Sequence, residues 1–382
     1  MAYFKPVNPS AVNQKKILLG HLGAFGDCLY ATTIARQIKE DFPGCHLTWA
    51  IGSMYRSIIH LNPYVDDVWE FPAAGVGEVV AAWPTFEREA IERKNRGDFD
   101  EIFLTQIAPG NLRNYDGTIR SSTFRNYPGR ITVPVTPVLR LSAAEVENVR
   151  RFAAEHSLSD TKSVILFECV PRSGQSSTNL EFALEVARLV TSSLPDASVI
   201  LSSHRSFTSD DARIIDGSVL SFRENAELTK YCTLLVGASS GISWLCTSDW
   251  AKRLPMIQLI KPDAFCFASV VYDHKCFGLP HESIIELSDC DAGKLTQCIV
   301  SAIEDGFDEA KSAFHQTLAM SYRYYEDSQF EHFRHRRYKE GFRFLFFHLR
   351  RHGIHARFLL WPFFRLSEKL AGRFTRSRLQ KS

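Results

Sequence analysis

The sequence predicts an α/β protein with two doubly wound, parallel-sheet domains followed by a basic, aromatic-rich helical tail. Short apolar runs alternate with helical patterns through two successive stretches of the chain. This alternation is typical of parallel sheets covered by helices on both faces. A chain of 382 residues with 45% hydrophobic residues is long enough for two ordinary cores. We therefore expect domains at residues 1–156 and 162–330, and the tail at 331–382.

The first domain is organised around residues 16–30, KILLGHLGAFGDCLY. This stretch predicts a buried strand, a loop punctuated by Gly20, Gly23 and Gly26, and then an amphipathic helix. Further strands are predicted at 46–51, 65–71 and 99–107, and helices at 53–60 and 77–96, with Pro84 as a break or kink.

Residues 108–130 interrupt this rhythm and predict a long loop, of a kind that is often functional. The loop carries Arg113, Arg120, Arg125 and Arg130 against the single Asp116. Guanidinium groups bind phosphate and carboxylate in bidentate fashion, so the arginines would suit an anionic acceptor. A merely solvated loop fits the same sequence.

The second domain follows a capping box at residues 142–145, a helix that ends near residue 156 and a linker at 157–161. Strands are predicted at 162–170, 197–203, 219–222, 233–237 and 256–260. Helices are predicted at 178–193, 224–231, 239–251, 294–305 and 309–325, with a further short acidic helix within 206–215.

Asp27 is the strongest catalytic candidate, because it stands where the glycine loop passes into the first helix. Strand–loop–helix junctions bring backbone N–H groups and a helix N-terminus to a charged ligand. An acceptor-only side chain at that place can act as a general base. Aspartate is also a favoured helix N-cap, and the local sequence fits both interpretations.

Two junctions in the second domain predict a phosphate site. At residues 236–241 (VGASSG), a strand ends in small residues where a helix begins. At residues 171–177 (PRSGQSS), a serine- and glycine-rich loop carries a cation. Helix N-termini favour anions, although serine and glycine also serve as plain helix caps. The donor-binding candidates are Arg172, Ser173, Ser176, Ser239, Ser240 and Gly241.

Several other classes of function are disfavoured. Gly20, Gly23 and Gly26 do not match Gly-x-Gly-x-x-Gly, and there is no P-loop and no Gly-x-Ser-x-Gly elbow. Nine scattered cysteines without Cys-x-x-Cys argue against a disulfide framework and a structural zinc site. The Asp-x-Asp pairs at 98–100 and 289–291 fit caps or turns better than metal ligands, so we expect no metal and no cofactor.

The tail and the start of the chain bear on location. Residues 331–382 hold 14 Lys and Arg against three acids, interleaved with 11 aromatic residues. This pattern predicts helices that lie on an anionic membrane; packing against the body and RNA binding are the alternatives. The first residues lack a secretory signal and no apolar run is long enough to span a bilayer. We expect a cytoplasmic protein that is peripheral on the inner face of the cell membrane, with nucleic acid as an unlikely partner.

Three motifs give the chain a resemblance to glycosyltransferase family nine, which includes the ADP-heptose:lipopolysaccharide heptosyltransferases. They are Gly26-Asp27-x-Leu29, the LNPYVD segment at 61–66, and LVGASSG at 235–241, and the similarity runs through residues 15–300. The resemblance implies a GT-B fold, with two Rossmann-like domains facing across a cleft, the acceptor on the first and the nucleotide sugar on the second. It also implies inverting, metal-independent transfer with Asp27 as the base.

The candidates for acceptor binding are Gly23 and Gly26 of the glycine loop, and Arg113, Arg120 and Arg125 of the arginine-rich loop. The resemblance also implies a ribose-binding acid at Asp210 or Asp211, and we select Asp211 as the candidate. This chain carries Ser239 and Trp244 where the family usually has Asp and His.

The expected function is transfer of a heptose or other hexose-like sugar from a nucleotide diphosphate sugar to a lipopolysaccharide, glycolipid or oligosaccharide acceptor. The alternative is a GT-B-like binding scaffold without donor chemistry.

Overall fold

The computed structural model describes residues 14–73, 75–108, 111–171, 174–261, 266–288 and 290–363. The described residues divide into two compact units. One unit contains the chain up to residue 108 together with residues 124–140; the other contains residues 111–123 and the chain from residue 141 onward. The second unit therefore begins well before the predicted linker at 157–161, and it includes part of the arginine-rich loop.

The first unit is a four-stranded parallel sheet with the order β3-β2-β1-β4. Its central strand β1 is buried from its second residue onward, as the apolar run predicts. The helix predicted at 77–96 continues through Pro84 without a break, so the predicted break is wrong, whereas a kink there stays a prediction. The elements are β1 (Lys16–Gly20), α1 (Phe25–Asp41), β2 (His46–Gly52), β3 (Asp67–Phe71), α2 (Val76–Asn95) and β4 (Glu101–Leu104), and a short α3 (Arg120–Arg125) follows in the chain.

The second unit is a six-stranded parallel sheet with the order β10-β9-β8-β5-β6-β7. Both sheets are parallel and helix-connected, as the sequence predicts. The elements are α4 (Ala143–Glu155), β5 (Ser163–Glu168), α5 (Leu180–Ser193), β6 (Ala197–Ser202), β7 (Ile214–Asp216), α6 (Glu224–Leu228), β8 (Leu234–Gly237), α7 (Gly241–Leu245), β9 (Met256–Leu259), α8 (Val270–Cys276), β10 (Ile284–Leu287), α9 (Ala292–Glu304), α10 (Phe307–Phe314), α11 (Arg323–Arg334), α12 (Tyr338–His352) and α13 (Ala356–Leu359).

Four sequence predictions for the second unit are wrong in detail. The helix at 206–215 and the strand at 219–222 are replaced by the strand β7, whose two isoleucines are buried beside β6. The helix predicted at 239–251 ends at Leu245. The elements α8 and β10 were not predicted. The helix predicted at 309–325 is two helices, α10 and α11, separated by an irregular segment.

Helix caps follow the predicted chemistry closely. Ser142 and Glu145 form the predicted capping box, in which each side chain accepts from the other's backbone N–H. The helix α5 is capped by Asn179, whose side chain accepts from the Phe182 N–H. One buried cluster joins α5 and α9 to the faces of β5, β8 and β9, and it is the main core of this unit.

The described part of the tail packs on its own unit. The ring of Tyr325 stacks on Phe344, and its hydroxyl donates to the Phe358 carbonyl at 3.0 Å. Arg351 Nε donates to the buried Asp116 at 3.0 Å, and the Tyr324 hydroxyl donates to the Asp116 carbonyl. The alternative of packing against the body therefore holds for one face of the tail. No helix among the described residues is both long and apolar enough to cross a membrane.

Candidate active site

Asp27 is the third residue of α1, directly beyond the carboxyl end of the central strand β1. The N-cap is Ala24, which has no side-chain cap, so Asp27 is not the N-cap that the sequence left open. Its carboxylate instead accepts a hydrogen bond from the backbone N–H of Ala24. The residue as a whole is half-buried.

Burial raises the pKa of Asp27 to about 7, even though the Ala24 N–H acts in the opposite direction. Desolvation disfavours the charged form of a carboxyl group, which is the usual cause of such a rise. A general base works best when its pKa lies near the operating pH. A pKa of about 7 is therefore consistent with the predicted role of Asp27 as a general base, which stays a prediction.

The loop before α1 is held from the end of β4. The side-chain oxygen of Gln106 accepts from the N–H groups of Leu22 and Gly23, both at 3.0 Å. Thr105 contacts the buried ring of His21 at 3.1 Å, and burial lowers the pKa of His21 to about 3, so the ring is neutral. A Cβ on Gly23 would lie 2.4 Å from the Tyr55 ring. Gly23 is thus required by close packing, and acceptor binding by Gly23 and Gly26 stays a prediction.

In the second unit, polar side chains form a row across the carboxyl edge of the sheet. Glu168 ends β5, Gly237 ends β8, and Gln258 and Glu286 are aligned on β9 and β10. The side chains of Glu168, Gln258 and Glu286 are all buried. This edge is where doubly wound domains bind their ligands.

Glu168 occupies the start of α7, where the sequence predicts a phosphate. Its carboxyl oxygens accept from the N–H groups of Ala238 (3.1 Å), Ile242 (2.9 Å) and Ser243 (3.2 Å), and from the Ser243 hydroxyl (2.6 Å). Four donors therefore surround this one carboxyl group. A side chain of the protein itself occupies the start of α7.

The predicted donor residues at 239–241 are already engaged. Ser239 is buried with φ +49°; its N–H donates to Gln258 at 2.7 Å and its hydroxyl donates to the Ala268 carbonyl. The Ser240 hydroxyl accepts from the Gly241 N–H at 2.7 Å. Ser239 is thus a buried structural residue here, and donor binding by Ser240 and Gly241 stays a prediction.

The remaining donor candidates lie at two loops. The buried Ser176 pairs with the Thr178 hydroxyl at 2.8 Å, while Arg172 and Ser173 lie outside the described residues. Asp211 is held in a bidentate contact by Arg213, at 3.0 and 2.8 Å, which lowers the pKa of Asp211. A ribose would have to compete with that guanidinium.

The sequence interpretation missed a cation close to the first phosphate loop. Lys261 follows β9, and its N–H donates to the Gln175 carbonyl at 2.8 Å, so it lies beside the loop at 174–177. Its side chain is exposed. A lysine there can supply the positive charge that a departing diphosphate requires.

Arg120 does not have the acceptor-binding role that the composition of the loop predicts. It is 1% exposed and makes a two-point ion pair with Asp273, and its guanidinium lies 5.1 Å from the Trp244 ring. Burial raises the pKa of Asp273 although Arg120 lowers it, so the pair is an internal one. Arg113 is exposed and Arg125 half-buried, and their contact with an acceptor stays a prediction.

Glu168, Gln258 and Glu286 were also missed, although the sequence carries a signal for each. Each is a polar residue inside or at the end of an otherwise apolar strand: SVILFE, MIQL and IIEL. A buried polar residue in such a run needs a specific partner. Among the residues that the structure describes, no group of three His, Cys, Asp or Glu side chains could hold a metal ion.

Compared by sequence, the chain matches no protein-family model and no curated protein. Among solved structures it is similar to a family 9 glycosyl transferase from Veillonella parvula, at 14% identity and a TM-score of 0.51, over 79% of this chain and 95% of that one. It is also similar to the E. coli ADP-heptose LPS heptosyltransferase II, at 12% identity and a TM-score of 0.47, over 76% and 99% of the two chains. A third similar structure is an E. coli heptosyltransferase solved with ADP, at 14% identity and a TM-score of 0.43, over 78% and 99%. The likeness to the Veillonella structure shows that this chain has the fold of a family 9 glycosyltransferase, the fold that the sequence resemblance implies.

Proposed function

We propose that this chain is an inverting, metal-independent glycosyltransferase. It would move a heptose or another hexose-like sugar from a nucleotide diphosphate sugar to a lipopolysaccharide or other surface-glycan acceptor. The observation that carries the proposal is Asp27, a half-buried residue with a pKa raised to about 7 at the carboxyl end of β1. Its support comes from the shared fold and from the family motif around Asp27.

In the proposed reaction, Asp27 accepts the proton of an acceptor hydroxyl as that oxygen attacks the anomeric carbon of the donor sugar. The new glycosidic bond forms as the bond between the anomeric carbon and the diphosphate oxygen breaks. Attack from the face opposite the leaving group inverts the configuration. The proton stays on Asp27 until solvent removes it, and the nucleoside diphosphate leaves with the bonding electron pair.

The leaving diphosphate gains negative charge, which fixed donors and cations can stabilise. The exposed Lys261, beside the loop at 174–177, is the described cation that we assign to it. Arg172, which the sequence places in the same loop, would add a second.

Arg113 and Arg125 are the cations proposed for an anionic acceptor, because Arg120 forms an internal ion pair with Asp273. The proposed acceptor is a glycolipid or an oligosaccharide. The proposed location is the inner face of the cell membrane, where the protein would be peripheral, and nucleic acid is not an expected partner.

The test is a donor screen on the full chain, in which thermal unfolding is measured with ADP-, GDP-, UDP- and CMP-sugars. We expect one nucleotide class to raise the unfolding temperature, and the matching sugar nucleotide to support transfer in the presence of EDTA. Lys261→Ala should weaken that stabilisation, whereas Lys252→Ala, a change at another exposed lysine, should not. Loss of transfer in EDTA would overturn metal independence.

Glu168 favours a second candidate, a GT-B-like scaffold that binds a glycan or protein and has lost donor chemistry. Its carboxyl group fills the turn that would hold the diphosphate. Trp244, at the family's histidine position, is buried and donates its ring N–H to the Ser239 carbonyl. An absence of stabilisation by every sugar nucleotide in the screen would favour the scaffold over the enzyme.

A further inference from the structure

The helix α12 has two faces with different surroundings. One face is buried through Gly341, Phe344 and His348, which pack within the tail and its own unit. The opposite face carries Phe342, which is 52% exposed, and Phe346, which is 67% exposed. Packing within the protein thus explains the first face and leaves the second unexplained.

The exposed face also concentrates positive charge. Lys339, Arg343 and Arg350 are exposed. Phe342, Arg343, Phe346 and Arg350 lie three, four, seven and eleven residues after Lys339 in the chain. Residues three or four apart lie on the same side of an α-helix. The outward face of α12 (Lys339, Phe342, Arg343, Phe346 and Arg350) is therefore both aromatic and basic.

The cations of this face are not used internally. Arg351 is paired with Asp116, and Arg357 with Glu326, so those two tail cations serve the packing. In the part of the chain that the structure describes, Lys339, Arg343 and Arg350 make no ion pair. Phe342 and Phe346 stand exposed among these unpaired charges.

We propose that the outward face of α12 docks on an anionic lipid bilayer. The two phenylalanine rings insert at the level of the headgroups, and the three cations contact lipid phosphates. Amphipathic helices with aromatic residues beside lysine and arginine bind interfaces in this manner. The charge of the face matches the negative cytoplasmic leaflet, and docking would bring the protein to a membrane-held acceptor. The choice of partner rests on the location given in the proposed function.

The test is co-sedimentation of the full chain with vesicles of phosphatidylcholine alone or with 30 mol% phosphatidylglycerol (roughly the anionic range in which polybasic segments bind). We expect binding to the anionic vesicles only, weakening as salt is raised. The change Arg343→Glu with Arg350→Glu should reduce the partition constant by about 20-fold or more, since each cation near an anionic surface contributes roughly a factor of five. The change Phe342→Ala with Phe346→Ala should reduce it by about tenfold or more.

Matched controls are available on the same unit. Arg188→Glu with Arg253→Glu reverses two exposed cations outside the tail, and Val219→Ala shortens an apolar side chain that is 67% exposed. These variants should sediment as the unmodified chain does. Because all of the altered side chains are exposed, unchanged far-ultraviolet circular dichroism is expected for each.

The proposal would be overturned if the unmodified chain failed to bind anionic vesicles, or if both α12 variants bound them as tightly as the unmodified chain does. Salt-dependent binding to RNA, with none to vesicles, would also overturn it. The assay uses no sugar nucleotide. A negative result would therefore leave the transfer reaction untouched, and a failed transfer assay would leave the vesicle result standing.

Discussion

At the scale of single residues, two carboxyl groups at strand-to-helix junctions have different surroundings. Asp27 is half-buried and its pKa is raised to about 7 by burial, so it exchanges a proton near neutral pH. Glu168 is almost fully buried and surrounded by four donors, so it serves the protein's own backbone. The two residues therefore differ in exposure, because Asp27 is half-buried and Glu168 is buried.

We expect Asp27→Asn to lower kcat by about 100-fold or more, because the amide cannot accept the acceptor's proton. Binding of the donor should change little. In the unmodified chain the rate should rise with pH up to about 7 and then level off, because only the ionised form is a base. Glu40→Gln, at an exposed position of the same helix, is the control. Activity near that of the unmodified chain would leave Asp27 as a structural residue of the first helical turn.

The same substitution should affect stability in a pH-dependent manner. The folded-state pKa of Asp27 lies above its unfolded value of 3.8, so the folded chain retains a proton that the unfolded chain loses. The contribution of Asp27 to the free energy of unfolding is therefore lost as the pH rises from about 4 to 7. Asp27→Asn should raise the free energy of unfolding on the order of 1 kcal/mol at pH 8 and less at pH 5. Urea unfolding at the two pH values measures this; an equal effect at both would contradict it.

Glu168→Gln should destabilise the second unit by about 2 kcal/mol. The amide nitrogen cannot accept from the α7 N–H groups, so buried donors lose their partner. Glu185→Gln, at an exposed position of α5, is the matched change of charge and should have an effect within about 0.5 kcal/mol. Chemical unfolding distinguishes the two variants, and equal stability would mean that the Glu168 contacts contribute little.

At the scale of elements, the arginine-rich loop divides by burial. Arg120 is enclosed by Asp273, Trp244 and Phe277, while Arg113 is exposed. Sequence composition assigns the same role to all of these arginines. Asp273 on α8 pairs with Arg120, so tertiary packing determines which arginine forms an internal ion pair.

We expect Arg120→Met to destabilise the protein by about 3–5 kcal/mol, because it leaves the buried Asp273 carboxyl without its partner. Adding Asp273→Leu should restore most of that loss, since the unpaired buried acid is then removed. Arg113→Met should leave stability within about 0.5 kcal/mol of the original. Thermal and urea unfolding of the four proteins provide the comparison; a harmless Arg120→Met would mean that the pair is only incidental.

At the scale of the whole molecule, the tail is part of the second unit as well as a candidate membrane surface. Tyr324 and Tyr325 are 1% and 0% exposed because Phe344, His348 and Phe358 cover them. The tail is therefore a poor choice for removal as a unit.

A chain ending after residue 330 should unfold several degrees lower than the full chain and bind a hydrophobic dye, because that cover is lost. A chain ending after residue 363 retains every described contact and is the control. Calorimetry and dye fluorescence report on both. An unchanged unfolding temperature for the shorter chain would show that the tail contributes no stability.

The sequence predicted more of the fold than of the site. Strongly apolar strands such as ILL in β1 and VILF in β5 could be recognised because a fully buried parallel strand leaves a continuous run. The strand β7 was missed, since it offers only two isoleucines. The short α7 was predicted too long, since it ends at Leu245.

The sequence by itself determined two parallel α/β units, a glycine loop leading to Asp27, and a basic aromatic tail, because hydrophobic period and residue chemistry are local properties. Only the tertiary structure decided which polar groups remain available. It paired Arg120 with Asp273 and directed Glu168 at the start of α7. The physical reason is that a buried charge must find its partner among residues that are distant in sequence, and no local pattern encodes that choice.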